Sequence, residues 1–283
     1  MPRTALAVSV EPDMIPGRRR IDWKNSLPFL LIHLSVFGAL WTGASGTALA
    51  VCVATYLTRM FAITGGFHRY FSHRSYKTGR IFQFLLAWEG TAAVQKGALW
   101  WAANHRHHHA HSDTEDDTHS PVTGGFWWSH AGWFLCNEYD KTQDHLIPDL
   151  MRFRELRFLN RFYWLPPVVL VSGLLAFGGP QMLVWGFSIS TVAVYHATFA
   201  VNSLAHLFGT RRFETGDESR NNCWIALITL GEGWHNNHHH SPSIERQGLA
   251  WWEIDVTHYV LRLLSWVGVV WDLREPKVKQ PGG

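Results

Sequence analysis

Charge is scarce along these 283 residues: Asp, Glu, Lys and Arg together make up 17%, against ~25% in an ordinary soluble domain. So little charge beside 47% apolar residues excludes a disordered or solvating chain and leaves room for long apolar segments. Basic residues form no run longer than Arg18-Arg19-Arg20, and the net charge is only +3, which argues against nucleic acid as a partner. Cysteine is scarcer still. Cys52, Cys136 and Cys223 lie far apart with no CxxC, so neither a disulfide framework nor a cysteine zinc site is expected. The working part is accordingly expected to face a reducing compartment. Met1 to Ser26 lacks an apolar stretch followed by a small-residue cleavage site, and no cleavable signal is read there. Internal repeats and low-complexity tracts are absent too.

What is abundant is histidine, with 18 residues, and tryptophan, with 16. Histidine is the common neutral metal ligand, and Trp collects at membrane interfaces. Four segments are apolar and nearly free of charge. Leu27 to Thr42, Phe162 to Phe177 and Met182 to Leu204 carry no formal charge, and Gly46 to Ile63 carries only Arg59. Gly43-Ala44-Ser45 joins the first pair and Gly178-Gly179-Pro180-Gln181 the second, which makes two helical hairpins. The segments starting at Leu27 and Phe162 fall short of the ~20 residues that span a bilayer, so each alone reads equally as a buried core helix. Charge placement favours the membrane: neither tight turn carries Lys or Arg, whereas Arg18, Arg19, Arg20 and Lys24 precede the first segment and basic residues stud both long stretches. By the positive-inside bias, both termini and the long loop are cytoplasmic. The expected fold is an all-α polytopic membrane protein with four transmembrane helices under a cytoplasmic helical cap. Its expected parts are a cytoplasmic segment (1–26), transmembrane hairpins (27–64 and 162–204) and cytoplasmic blocks (65–161 and 205–283). Ile81 to Trp101 and Tyr259 to Trp271 suit helices lying at the interface. Pro276, Pro281 and two terminal glycines suggest a frayed tail.

The histidines are clustered. Five fall between His105 and His111, four between His235 and His240, and His68 and His73 follow the second segment. His105, His108 and His109 are related as i, i+3 and i+4, so on a helix three imidazoles share a face while His107 points away. The same spacing recurs in His235, His238 and His239, with His240 off the face. One such triplet reads equally as a surface accident, but two in a shared register, with a further pair, point to a metal site. His206, ending the fourth segment, leaves the membrane on the same side. These nine imidazoles exceed the four ligands of tetrahedral zinc and suit two metals of higher coordination number. His68 and His73 are about 140° apart on an ideal helix, so the helix must end or bend between them.

Together these residues resemble the membrane-bound fatty acid desaturases of the acyl-CoA (stearoyl-CoA delta-9) type. The likeness runs from about Leu27 to Trp252. It rests on Gly66-Phe-His-Arg-Tyr-Phe-Ser-His-Arg-Ser-Tyr-Lys77, His105-Arg-His-His-His109 followed by Ser112-Asp113-Thr114, Asn202-Ser-Leu-Ala-His206, and Gly231-Glu-Gly-Trp-His-Asn-Asn-His-His239. The resemblance implies a mushroom shape and two iron ions bound by the nine histidines, with Asn202 matching the family's Asn that reaches one iron through water. Asp113, Asp117 and Glu232 match acidic positions of the family pattern, where carboxylates hydrogen-bond outer ring nitrogens and fix tautomers. Without the resemblance, Asp113 to Asp117 reads as a solvated acidic loop, four acids in five residues. The implied chemistry is insertion of a cis double bond into a saturated acyl chain with O2 and two electrons, the hard step belonging to the cofactor.

In the animal members an Arg two residues before the second histidine box and an Arg-Lys pair further along hold the phosphates of coenzyme A. Here those places read Ala103 and Asn137-Glu138. Acyl-CoA is the first carrier to test, with phospholipid or acyl carrier protein behind it. Gln95 and Trp101 match family positions near the tunnel mouth, and read equally as interfacial residues. Tyr56 stands twelve residues before His68, roughly 18 Å along a helix, and Cys52 one turn deeper, where the resemblance places the residues that close the tunnel. Tyr56 reads equally as a ring packed between helices. The chain contains no cytochrome or ferredoxin motif, so electrons are expected from a separate protein of ferredoxin, rubredoxin or cytochrome b5 type. The expected setting is a lipid bilayer, taken as a bacterial inner membrane, with the site on its cytoplasmic side. The competing readings are a lipid hydroxylase with the same cluster and a membrane metal transporter, whose histidines would line the spans; only His33 and His196 lie there.

Overall fold

The computed structural model describes residues 21–276. The expected N-terminal segment therefore lies mostly outside the described residues, as does the part of the expected tail beyond Pro276. The principal helices are α1 (Trp23–Ser35), α2 (Gly46–Phe61), α3 (Arg80–Thr91), α4 (Ala98–His111), α5 (Arg154–Arg161), α6 (Leu165–Leu183), α7 (Ser190–Ser203), α8 (Cys223–Ile228), α9 (His235–His240) and α10 (Val256–Trp266). One antiparallel pair of two-residue strands, β1 (Lys77–Thr78) and β2 (Val270–Trp271), ties the end of the chain to the segment after His73.

Local chemistry sets the ends of these helices. The Ser45 hydroxyl accepts from the Ala48 amide to start α2, and the Asp255 carboxylate accepts from the His258 amide to start α10. Gly46–Ser72 and Leu165–His206 are long and apolar enough to cross a membrane, and the apolar run Ser26–Thr42 is shorter. As one straight helix, the 42-residue run would be about 63 Å long. Gly179 breaks it with φ 68° and ψ −170°, a conformation glycine adopts without a Cβ clash. α6 then packs back on Val184–Ile189, at the turn expected from Gly178 to Gln181. Only 6% of this run's most apolar window is buried. A soluble core helix would hide that surface; here Phe177 is 96% exposed.

The lone cation of the second apolar segment is satisfied internally. Arg59 is fully buried and donates to Thr55 O, Ala92 O, Thr191 Oγ1 and Ser190 Oγ, which stitches α2 to α7 through neutral oxygens. Phe67, Phe71, Leu99, Leu156, Leu159 and Leu261 belong to one apolar core. Gly90 is part of that packing: a Cβ there would lie 2.3 Å from the Phe67 ring.

The stretch Ile81 to Trp101 is two helices, α3 and the start of α4, where the sequence suggested a single interfacial one. The chain turns between them with Val94 and Lys96 both at φ near +60°. Few non-glycine residues adopt that conformation, least of all a β-branched one. The physical reason for the division is visible in the partners: α3 leaves Ile81 and Leu85 outward, while α4 turns inward to carry a histidine box.

Candidate metal centre

The pair His68 and His73 meets because the helix widens. Ala62–Ser72 winds with five-residue spacing, and the His73 amide donates to His68 O at 3.2 Å. Residues five apart then stack, where an ideal α-helix would set them about 140° apart. The bend expected from the sequence is thus a π-helical turn.

All nine expected imidazoles converge, and they do so in two adjoining groups. His68, His73, His105, His109 and His238 form one, and His108, His206, His235 and His239 the other, the ligand atoms within each lying within 4.8 Å of one another. The two boxes are used reciprocally. In α4 the i and i+4 residues His105 and His109 join the five-imidazole group, and the intervening His108 joins the other. In α9, His235 and His239 join the four-imidazole group and His238 crosses to the first. The off-face residues stay outside: His107 contacts Asp116 O, His111 contacts His107 O, and His240 stacks on Phe213.

Carboxylates set the tautomers. Asp117 accepts from His108 Nδ1 at 2.9 Å, Asp113 from His206 Nδ1 at 2.9 Å, and Asp217 from His239 Nδ1 at 2.6 Å. Glu232 takes His68 Nδ1 in the same way. Each ring then turns an Nε2 lone pair inward. Glu232 is itself held by Arg69 at 3.0 Å and Gln247 at 2.9 Å, and Arg69 is further matched by Asp255 at 2.9 Å, all of them buried. Burial opposes ionisation of Glu232, but His68 and Arg69 more than offset it and hold its carboxyl below the usual range. Gly231, at φ +129°, lets the loop press against Asp255, whose Oδ1 a Cβ would meet at 2.4 Å.

The donor set fits metal ions. Nε2 of His238 lies 3.0 Å from Nε2 of His68 and 2.9 Å from that of His109. In neutral rings with Nδ1–H, such nitrogens turn lone pairs on one another and repel unless a cation lies among them. Burial, reinforced by neighbouring rings, keeps His73, His105, His109, His235 and His238 well below the ordinary imidazole range and takes His239 down to about 4. Those six rings are therefore neutral at pH 7, the state that ligates. Nε2 of His239 is buried with no hydrogen-bond partner among the described residues.

Two cavities with shared walls reach this centre. The larger, about 170 Å³, is walled by aromatic side chains including Phe29, Trp100, Tyr195 and Phe199. The smaller, about 30 Å³, lies against both imidazole groups. They share Trp101, His105, Thr198 and Asn202. Asn202 lines both cavities, and Gln95 and Trp101 line the larger one. Cys52 and Tyr56 line neither cavity. The Tyr56 hydroxyl donates to Ile228 O, joining α2 to α8.

Two residues at the centre escaped the sequence reading. Asp217 sits in the Thr215-Gly-Asp-Glu-Ser219 turn, and its one signal is an acid on a tight loop soon after His206. His119 is buried, stacks on His108 with ring centroids 4.2 Å apart, and lines the larger cavity; its signal is its place just beyond the acidic loop.

Residues 44–265 match the family model described as fatty acid desaturase. The chain is 38% identical over 264 residues to the sn-1 stearoyl-lipid 9-desaturase of Anabaena variabilis, covering 92% of this chain and 97% of that one. It is 38% identical over 267 residues to the acyl-CoA C20 Delta5-desaturase of Anemone leveillei, covering 90% and 84%. It is 39% identical over 237 residues to the chloroplastic palmitoyl-monogalactosyldiacylglycerol delta-7 desaturase of Arabidopsis thaliana, covering 82% and 64%.

Proposed function

The chain belongs to the fatty acid desaturase family, and from that membership we propose that it inserts a cis delta-9 double bond into a saturated acyl chain carried by a membrane glycerolipid. The observation that carries this reading is the pair of imidazole groups at the inner end of an apolar cavity. An acyl chain needs that shape: dry walls that orient it and exclude water, with two adjacent carbons presented at the inner end.

His68, His73, His105, His109 and His238 would hold one iron, and His108, His206, His235 and His239 the other, with Asn202 reaching the second through water. When bound, two irons supply an oxidant strong enough to break unactivated C–H bonds with O2 and two electrons. The balance is CH2–CH2 plus O2, two electrons and two protons, giving CH=CH and two waters. Asp113, Asp117, Asp217 and Glu232 keep the ring nitrogens aimed inward, and Phe29, Tyr195 and Phe199 wall the path of the chain. Electrons come from a separate ferredoxin, rubredoxin or cytochrome b5 type protein. In this reading the helices meeting at Gly179 and those meeting at Gly43 to Ser45 form four spans of a bacterial inner membrane, and the centre faces the cytoplasm.

A lipid carrier is favoured over acyl-CoA by the charge at the cavity. Lys96 is the one Lys or Arg among the residues described as lining it, and Asp140 already holds its Nζ at 2.5 Å. Ala103 is fully buried and supplies no cation. A transporter is disfavoured by geometry: His33 and His196 bond each other at 3.1 Å and His196 bonds His130 at 3.0 Å, forming a chain at one flank. Iron-loaded protein in vesicles, given a reduced donor and either stearoyl-glycerolipid or stearoyl-CoA, should yield a delta-9 monoene from the lipid. Conversion of the CoA ester alone would overturn the carrier, and a hydroxylated product would overturn the reaction.

A further inference from the structure

The segment from Arg152 to Trp164 carries a surface that the catalytic reading does not use. At 100° per residue, Arg154, Arg157, Phe158 and Arg161 fall on one exposed face of α5, and Leu156 and Leu159 lie buried on the other. Arg152 precedes them, also exposed. Five arginines elsewhere, Arg74, Arg80, Arg106, Arg212 and Arg262, each hold a carboxylate within 4.0 Å, although Arg246 and Arg274 do not among the described residues. None of the four arginines on this segment has a carboxylate that close among the described residues. The one acid of the helix, Glu155, is taken by Arg80 of α3 at 2.8 Å.

The face is also aromatic. Phe158 is 48% exposed in the middle of the three helical arginines, and its ring lies 4.9 Å from that of Phe162. Tyr163 and Trp164 are exposed as well, and α6, the start of the long apolar run, begins at Leu165. A basic face in water has no use for an exposed Phe at its centre. At a bilayer surface, Phe and Trp rings enter the headgroup boundary while guanidiniums reach phosphates, which they bind through two parallel N–H groups.

We infer that the Arg154–Phe158–Arg161 face seats the phosphate headgroups of anionic membrane phospholipids beside the cavity mouth. The placement gives it a purpose. Asn160 Oδ1, on the flank of the same helix, accepts from the Trp100 amide of α4, and Tyr163 lines the larger cavity. A headgroup seated on α5 therefore anchors the element that abuts both the histidine helix and the mouth. The inference does not depend on the desaturase reading, because its test reads lipid retention.

The experiment is native mass spectrometry of the full chain, purified in neutral detergent and offered equimolar phosphatidylglycerol and phosphatidylcholine. Phosphatidylglycerol should be retained in at least about fivefold excess, and the excess should shrink as salt rises. R154Q/R157Q/R161Q should lose that excess while keeping its metal content and its elution as a folded species. R154K/R157K/R161K should keep part of it, because charge remains and the planar fork is lost. Should the triple glutamine variant fail to fold, R157Q alone should still lower the excess measurably. Equal retention of the two lipids by the unaltered protein, or an undiminished excess in the glutamine variants, would overturn the inference. So would displacement of phosphatidylglycerol by free coenzyme A, or loss of binding to an acidic redox protein with lipid retention unchanged.

Discussion

The two imidazole groups stand side by side and are held by opposite means. Of the four rings in the smaller group, His108, His206 and His239 are each oriented by a carboxylate, all from loop residues: Asp117, Asp113 and Asp217. Of the five in the larger, only His68 has one among the described residues, and its Glu232 belongs to a buried cluster with Arg69, Asp255 and Glu245. His73 and His105 meet there at 2.8 Å, brought together by the widened helix and by the packing of α4 against it. The larger group is therefore built by helix packing beside a buried ion cluster, and the smaller by tautomer control from loop carboxylates. Both groups meet the smaller cavity, the larger through His68 and His105 and the smaller through His108 and His235.

The largest effect should come from the ring that links the larger group together. His238 Nε2 approaches both His68 and His109, and His238 belongs to the same short helix as His235 and His239 of the other group. His238→Ala should abolish turnover and lower bound iron from two per chain to one or fewer, measured by elemental analysis after iron loading. His240→Ala, whose ring is in neither group and stacks on Phe213, should keep both irons. Retention of two irons by His238→Ala would dissolve the division into groups.

Next in size are the carboxylates, where the contrast predicts different failures. Asp217→Asn removes an anion from one ring of the smaller group, and should weaken one iron by about 10–100-fold while the folded protein persists. Glu232→Gln disturbs a buried charge cluster, and breaking a buried pair costs about 3–5 kcal/mol, so this variant should lose thermal stability before it loses metal selectively. Calorimetry beside metal titration separates the two. Equal stability losses would mean that both groups rest on the same kind of support.

How much of this could be read from the chain follows from the range of each interaction. Six of the nine rings were legible because i, i+3 and i+4 spacing is a local property of a helix, as was the turn at Gly178 to Gln181. The division of each box between two groups was not, since it depends on how α4 and α9 cross. His68 and His73 looked mismatched only because an ideal helical turn was assumed. Asp217 sits on a loop and finds His239 22 residues on, across α8 and into α9, so no periodicity marks it. Tyr56 could be placed at a depth along α2, but the partner of its hydroxyl, Ile228 O, belongs to a distant helix.

The smallest expected effect tests whether the counts of five and four are the right ones. His119 lies against the smaller group, forms a further possible metal-binding set with His108 and Asp117, and has a buried Nδ1 with no hydrogen-bond partner among the described residues. Burial, with His108 beside it, takes its imidazole down to about 3, so the ring is neutral and able to ligate. Against that stands its geometry: it stacks on His108 at an interplanar angle of 29° and packs on Trp133 at 5.1 Å, the contacts of a ring used as a wall. Asp117 meanwhile faces His108 Nδ1, the side of that ring turned away from the other three imidazoles. His119→Phe keeps a ring in the stack and removes both nitrogens. As a wall, it should leave two irons bound and turnover close to that of the unaltered protein, with a stability change no larger than the ~1–3 kcal/mol of a slightly overpacked core. Loss of one iron from His119→Phe would make the smaller group five rings as well, and the asymmetry between the groups would then lie in their carboxylates alone.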